Sequence, residues 1–404
     1  MQRPIPYRLI AWLGLTIAWA SVALMGVAAL APRLMAEMGM RAESVGWFSG
    51  IVWITALLVT PFAGSLSKRR DPWQITQSCL MLCSIGLICI AIGNPWLFWL
   101  GAILVGAGQA FEAPPASQLL SQYSHPEKRA FSFSLKQAGV QLGALTASLT
   151  LPLLAMKWTP SAALWVVAGV LLAFVVSLNY GRKQYPHTLT LPENQSPHWL
   201  TELRQGLVDW WPLLRSQPGL LRLSLSAATF GATQVCINSF MVTWLVEARH
   251  MPLTEAGVLA ACMQASGLFS RPLWGWVASH STSALRVLSG LGLCMSVCGV
   301  AMGFWGSMVP EFLLLWVLVV YGLSASGWNG VYLAEIAHRS PANSVGSYTA
   351  VATMPLYLGL ILGPIIFTVL TATWGFSVAW LCLGISGFMG AINLTIQSKG
   401  PTQG

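Results

Sequence analysis

The sequence predicts an all-α integral membrane protein. Of its 404 residues, 55% are hydrophobic and only 8% are charged, whereas an ordinary soluble domain has about 25% charged residues. Apolar runs of about 20 residues, the length that crosses about 30 Å of hydrocarbon, recur along almost the whole chain. These runs leave no room for a large soluble domain.

Twelve membrane-spanning helices are predicted from these runs. Their ranges are 9–31, 45–67, 73–93, 96–123, 131–155, 161–180, 220–247, 255–279, 284–306, 310–335, 347–371 and 376–396. An even number of spans places both termini on one side of the membrane. The stretch "AALAPRL" resembles a signal-peptidase site, but Pro32 would follow the cut, so we interpret the first span as uncleaved.

The basic residues predict the orientation. If the amino terminus is cytoplasmic, 15 of the 21 Lys and Arg residues lie in cytoplasmic segments, four lie on the other side, and two, Lys136 and Arg271, lie inside the membrane. The positive-inside rule then places both termini in the cytoplasm. The net charge of +9 therefore follows from topology and indicates no nucleic-acid partner. We expect a monomer in the lipid bilayer of a bacterial inner membrane.

The cysteine and histidine residues predict neither a metal site nor a cofactor. All eight cysteines fall inside predicted helices, and none belongs to a CxxC pair or a Cys/His cluster with metal-ligand spacing. The six histidines lie mostly in loops or at helix ends. We interpret the cysteines as packing residues.

The two halves of the chain resemble each other. A shift of 211 residues aligns "PFAG", which ends at Gly64, with "PLWG", which ends at Gly275, without a gap. Many secondary transporters are built from such repeats. We therefore predict one six-helix bundle over residues 1–180 and a second over 220–404, with a cytoplasmic linker over 181–219.

The linker is the only long polar stretch of the sequence. From Trp199 to Arg215, leucine and tryptophan residues recur at helical spacing, which predicts an amphipathic helix on the cytoplasmic membrane surface. A plain tether is the favoured interpretation of the linker, and a regulatory segment is the alternative.

Six helices, a linker and six more helices resemble the major facilitator superfamily over essentially the full length. The signature of that family after its second helix is Gly-x-Leu-x-Asp-Arg-x-Gly-Arg. The corresponding "GSLSKRRDP" retains Gly64, Leu66 and Arg69 but has Lys68 at the position of the acid. The resemblance implies alternating access, in which two bundles rock around a binding site at the membrane midplane.

Arg271 is the first candidate binding residue. A guanidinium keeps its proton in a protein, so Arg271 needs an anionic or polar partner, or water. It lies nine residues before His280, about 13 Å along a helix and therefore near mid-depth, on one stripe with Gln264. Substrate binding and a structural contact with a helix carboxyl end or a carbonyl are both open.

The "RPxxG" pattern of Arg271, Pro272 and Gly275 is similar to the eighth helix of the monocarboxylate transporter branch of the superfamily. In that branch, an arginine followed by proline contacts the substrate carboxylate. The resemblance implies that Arg271 binds a carboxylate, and the planar fork of a guanidinium suits that group.

Glu112 and Lys136 are the proton-coupling candidates. Glu112 is the only acid deep in a predicted helix, with Gln109 on the same face and Pro114 and Pro115 beside it. A permanent structural salt bridge between Glu112 and Lys136 is an equal alternative. The long side chain of Lys136 could reach either the core or the cytoplasmic interface.

The buried charges favour an anionic substrate. If Glu112 is ionised and Lys136 faces inward, then the three groups, counted with Arg271, have one positive charge in excess. A monoanionic substrate would neutralise that charge. Further polar and aromatic residues could complete the pocket, although ordinary packing explains each of them alone: Gln137, Asn238, Trp328, Asn329 and Tyr357.

These observations predict a secondary active transporter for a small carboxylate or related organic anion, with proton symport. The linker is too short for a nucleotide-binding domain and no G-x-x-x-x-G-K-[ST] stretch is present, so we expect a gradient to supply the energy. No catalytic set is visible, so we predict no enzyme.

Two other functions remain open. The first is a drug or metabolite exporter of the same fold, although the Gly-x-x-x-Gly-Pro pattern of family antiporters reads "GVQLGA" in the fifth helix and occurs as "GLILGP" in the eleventh. The second is a sensor that transports nothing, which requires no particular motif.

Overall fold

The computed structural model describes residues 5–40, 44–67, 69–186, 208, 210–306 and 308–398, and these residues form helices and connecting turns without a β-strand. The long helices are labelled in chain order: α1 Tyr7–Glu37, α2 Ser44–Leu66, α3 Pro72–Ala91, α4 Pro95–Ala110, α5 Ala113–Tyr123, α6 Arg129–Lys157, α7 Pro160–Gln184, α8 Pro218–Glu247, α9 Leu253–His280, α10 Ala284–Trp305, α11 Glu311–Arg339 and α12 Val345–Ser398. Short 3₁₀ turns, Pro126–Lys128 and Ala342–Ser344, precede α6 and α12.

Ten helical stretches of the described chain are long and apolar enough to cross a membrane. One of them, Ala342–Ile396, contains 55 residues and is interrupted at Gly375, whose φ of 81° and ψ of 172° are not helical. This left-handed φ suits glycine, which has no Cβ. The run therefore supplies two spans, as predicted.

Helix α9 is not among those ten stretches, although its 28 residues are sufficient to cross the bilayer. Its sequence carries polar and charged groups, including Gln264 and Arg271, which lower its apolarity. With α9 counted, and with the long run divided at Gly375, the described residues contain the twelve predicted spans.

The fourth span is not the single helix that the sequence predicts over 96–123. It consists of α4 and α5, separated by a turn at Phe111 and Glu112. Because Pro114 and Pro115 have no backbone N–H, neither can continue the helical hydrogen bonds to the preceding turn. The N–H groups of Phe111 and Glu112 bond instead to carbonyls three residues earlier, at 3.1 and 3.3 Å.

The predicted linker helix falls largely outside the described residues. Of its range 199–215, only residues 208 and 210–215 are described, and a short helix covers 210–216. Leu214 in this helix is buried.

The chain divides into two compact units. They differ from the predicted bundles in two short segments: 127–135 belongs to the second unit, and 336–351 belongs to the first. The first unit comprises Met1–Pro126, Lys136–Leu213 and Ile336–Val351, and the second comprises Glu127–Leu135, Leu214–Glu335 and Ala352–Gly404. The division into bundles 1–180 and 220–404 stays a prediction.

In the first unit, α3 packs against α4 and α7, and α2 packs against α4. Helix α6 crosses α1 closely at Gly139 and Gly143. A Cβ atom on either glycine would collide with the carbonyl oxygen of Gly14 or Ala18. Small residues at such positions let the backbones of two membrane helices approach each other.

In the second unit, α9 packs against α8 and α10. Helix α12 crosses α8 in the same manner as α6 crosses α1. A Cβ atom on Gly359 would collide with the carbonyl oxygen of Ala228, and one on Gly363 would lie 2.9 Å from Ala232. The "GVQLG" and "GLILG" stretches therefore make equivalent helix crossings, one in each unit.

Candidate functional site

Glu112 and Lys136 form an ion pair inside the first unit. Glu112 lies in the turn between α4 and α5, and Lys136 lies in the second turn of α6. Their side chains are only 8% and 1% exposed. Lys136 therefore faces inward, and the alternative in which it extends to the interface is wrong.

A hydrogen bond and a close backbone approach connect α1 to the two segments that carry this ion pair. The Nε2 of Gln109 in α4 donates to the carbonyl oxygen of Ala20 in α1, at 2.9 Å. Helix α1 also passes close to Lys136, because a Cβ on Gly14 would lie 3.7 Å from the Lys136 carbonyl oxygen. The ion pair thus lies where α1, the α4–α5 turn and α6 meet.

In the second unit, α9 has two distinct faces. Phe269 and Trp276 are exposed on the apolar face, with 68% and 54% of their surface accessible. Arg271 is 2% exposed and lies on the opposite face, seven residues or about two turns beyond Gln264. The guanidinium of Arg271 therefore points away from the lipid-facing side of its helix.

The polar face of α9 is open at one end and covered at the other. Gln264 is partly exposed, whereas Arg271, Gly275 and Ala278 are buried. The start of α6 covers this buried part: Ser134 contacts Gly275, and the N–H of Phe131 donates to the Oγ of Ser279 at 3.0 Å. Gln264 therefore lies at the partly exposed end of this face, and Arg271 lies in its buried part.

Two amide pairs link α8 to its neighbours. The Nε2 of Gln264 in α9 donates to the Oδ1 of Asn238 at 3.1 Å. The Nδ2 of Asn329 in α11 donates to the Oε1 of Gln234 at 3.1 Å. Gln234 and Asn238 are four residues apart, so they lie one above the other on α8. The structure thus brings together Asn238 and Gln264, as a shared site would require.

The other predicted pocket residues are more deeply buried. The ring of Trp328 is fully buried between Phe230 and Tyr332, with ring centroids 5.8 and 5.5 Å away. Tyr357 in α12 and Gln137 in α6 are each 7% exposed. Their roles in binding stay predictions.

Sequence reasoning missed two polar residues. Gln234 completes the second amide pair, and its position one turn before Asn238 was the available signal. Glu335 ends the predicted helix 310–335, but α11 continues to Arg339 and Glu335 is only 9% exposed. Glu112 is therefore not the only buried acid among the described helices.

Apolar spanning helices with ionic and amide groups turned inward are typical of a membrane transport protein. Such groups are costly in lipid and usually line a substrate or ion pathway. The family model of the Major Facilitator Superfamily matches residues 11–355. The chain belongs to this superfamily and is a transporter rather than an enzyme.

One curated relative is the multidrug resistance protein MdtH of Escherichia coli, strain K12. It is 23% identical over 366 residues, which cover 88% of this chain and 85% of that protein. MdtH of Shigella boydii matches to the same extent.

Solved structures share the fold. The human organic anion transporter MFSD10 superposes with a TM-score of 0.79 at 14% identity, over 97% of this chain and all of that chain. The fucose:proton symporter FucP of E. coli superposes with a TM-score of 0.77 at 15% identity, over 99% and 100%. Identities this low establish the fold alone.

Proposed function

We propose that the protein is a secondary active transporter of a small organic anion and that Arg271 binds the anionic group. The observation that carries this proposal is the position of Arg271: a buried guanidinium on the face of α9 opposite its lipid-exposed side, in line with the partly exposed Gln264. A carboxylate would add to the contacts that Arg271 makes in this structure, or replace some of them.

Physical chemistry supports this choice of ligand. A permanent charge at the centre of a membrane costs about 2.5–3.5 kcal/mol on insertion scales, so such residues are rare and usually functional. Guanidinium presents two parallel N–H donors that match the two oxygens of a carboxylate. A neutral substrate would make no comparable use of this group.

The direct test compares Arg271→Gln with Arg249→Gln in proteoliposomes. Arg249 is a matched control in the same unit, because its Nη1 donates to the Gly306 carbonyl at 2.9 Å, a structural contact at a helix end. We expect Arg271→Gln to abolish anion flux while the protein still elutes as a folded peak, and Arg249→Gln to retain flux. Normal flux through the Arg271 variant would refute the carboxylate assignment.

Coupling to protons belongs to the Glu112–Lys136 pair in this proposal. Protonation of Glu112 would remove its charge and release Lys136, so the pair has two states that a proton gradient can bias. With Glu112→Gln, anion exchange should persist while proton-driven accumulation fails. Glu335→Gln is the comparison variant, and loss of accumulation there instead would transfer coupling to Glu335.

The family and the relatives leave open whether the protein imports or exports. Similarity to MdtH, whose name denotes multidrug resistance, favours a second candidate function: a drug or metabolite exporter. Flux in vesicles of known orientation separates the two candidates. Uptake driven by an inward proton gradient supports anion symport, and substrate-stimulated proton release supports export.

A bacterial inner membrane with both termini in the cytoplasm is the location that goes with this function. The support is the distribution of Lys and Arg among the loops, together with relatives in E. coli. Reporter fusions at the carboxyl terminus would check the orientation, and an active periplasmic reporter would contradict it.

A further inference from the structure

Four carboxamides occupy neighbouring positions in the second unit. We call Gln234, Asn238, Gln264 and Asn329 the amide cluster. Its two hydrogen bonds, each 3.1 Å long, join α9 to α8 and α8 to α11. The cluster therefore spans three helices, with its two pairs about one helical turn apart along α8.

Amide side chains often act only as glue between membrane helices, and such hydrogen bonds contribute about 0.6 kcal/mol on average. Residues with that role alone are expected to be buried. In this structure Asn238 is exposed, and Gln234, Gln264 and Asn329 are partly exposed. Because Gln264 faces opposite the lipid-exposed side of α9, this exposure points to a ligand rather than to lipid.

The two bonds leave most of the hydrogen-bonding capacity of the cluster unused. A carboxamide has two N–H donors and an oxygen that accepts twice, and each pair spends one donor and one acceptor site. A hydroxyl also donates and accepts through a single atom. Carboxamides on several helices therefore suit a ligand with several hydroxyl groups.

Arg271 lies on the same face of α9 as Gln264, about two turns or 10 Å further along the helix. We infer that the substrate is a hydroxylated organic acid of the sugar-acid class, with its carboxylate on Arg271 and its hydroxyls on the amide cluster. This inference rests on the proposed function, because it assigns the anionic end of the substrate to Arg271.

The test measures binding of three probes to the purified protein in nanodiscs: gluconate, hexanoate and sorbitol. Gluconate has both the carboxylate and the hydroxyls, hexanoate only the carboxylate, and sorbitol only the hydroxyls. A site built to hydrogen-bond a hydroxyl strongly rejects the analogue that lacks it. We expect gluconate to bind at least about tenfold more tightly than hexanoate, and sorbitol to bind weakly.

The variant Gln264→Met/Asn238→Leu removes one amide pair with little change in shape. It should reduce the preference for gluconate to less than about threefold without weakening hexanoate. The matched control is Gln77→Met/Asn179→Leu, which removes an amide pair of 3.2 Å between α3 and α7 in the first unit. The control should keep the preference of the unmodified protein.

The outcomes separate the two proposals. If both acids bind equally and both require Arg271, the sugar-acid inference is overturned and the proposed function stands. A preference for gluconate that survives the amide variant also overturns the inference. If sorbitol binds as well as gluconate and Arg271→Gln has no effect, the anion proposal itself is overturned. Should the double variant not fold, Asn238→Leu alone serves the same comparison.

Discussion

Glu112 and Lys136 in the first unit bury their opposite charges against each other, whereas the amides of α8 and α9 in the second unit keep exposed surface. Both sets lie within apolar spans and carry polar atoms that lipid cannot satisfy. The first set is satisfied by its own chain. The second retains donors and acceptors that a ligand can use.

This difference predicts that the ion pair contributes more to stability and the amide cluster more to binding. Removing one member of a buried ion pair leaves an uncompensated charge in a medium of low dielectric constant. Removing a partly exposed amide leaves its partner with access to water or ligand. Substitutions of the ion pair should therefore lower stability as well as uncouple transport from protons, whereas those in the amide cluster should alter mainly substrate binding and transport.

The largest effect is expected at the ion pair. Lys136→Met should lower the free energy of unfolding by about 3–5 kcal/mol, because Glu112 then keeps a buried charge without its partner. Thermal and SDS unfolding of the purified protein measure this change. The double variant Glu112→Gln/Lys136→Met should recover most of the loss. By contrast, Gln264→Met/Asn238→Leu should cost less than about 1 kcal/mol. An equal cost at both places would show that the amide pair matters as much for stability as the ion pair does.

An intermediate effect is expected at the repeated helix crossings. Gly139→Leu at the crossing of α6 with α1 and Gly359→Leu at that of α12 with α8 should each cost about 1–3 kcal/mol, because the new side chain meets a backbone carbonyl. Gly290→Leu in α10 is the control, since no atom lies within 4 Å of its added Cβ. A large cost in one unit only would show that the crossings are not equivalent.

The smallest effects are expected at two serines that play similar parts. In the second unit, Ser279 accepts from the N–H of Phe131 at the start of α6. In the first unit, Ser347 at the start of α12 donates to the Gly64 carbonyl at 2.7 Å. Replacement of either serine by alanine should cost about 0.5–1.5 kcal/mol in unfolding experiments. Thr146→Val, at an exposed hydroxyl that bonds within its own helix, is the control and should change little.

Much of the fold was predictable because it depends on local properties. Runs of apolar residues mark the spans, and the prolines after Glu112 indicated a bend. The prediction was weaker at the α4–α5 turn, where a single helix over 96–123 was expected, whereas the break near Gly375 was predicted. The continuation of α11 past Glu335 was missed because the residues after it, "IAHRS", resemble a polar helix end.

The candidate site was predictable only in part. Helical spacing placed Gln264 and Arg271 on one face and identified Glu112 and Lys136 as possible partners. It could not choose between the core and the interface for Lys136, since a long flexible side chain reaches both. Its spacing from Asn238 places Gln234 on the same helical face, but that spacing does not reveal that its partner is Asn329, 95 residues away.

The membrane location, the number of spans and the side chains that share a helical face follow from the sequence alone, because they depend on apolarity and on a rise of about 1.5 Å per residue. Which helices meet is visible only in the folded chain: Lys136 contacts Glu112, Gln264 contacts Asn238, and the glycines of α6 and α12 approach the backbones of α1 and α8. The reason is that a helical face is a local property, whereas its partner is set by packing between segments far apart in the chain.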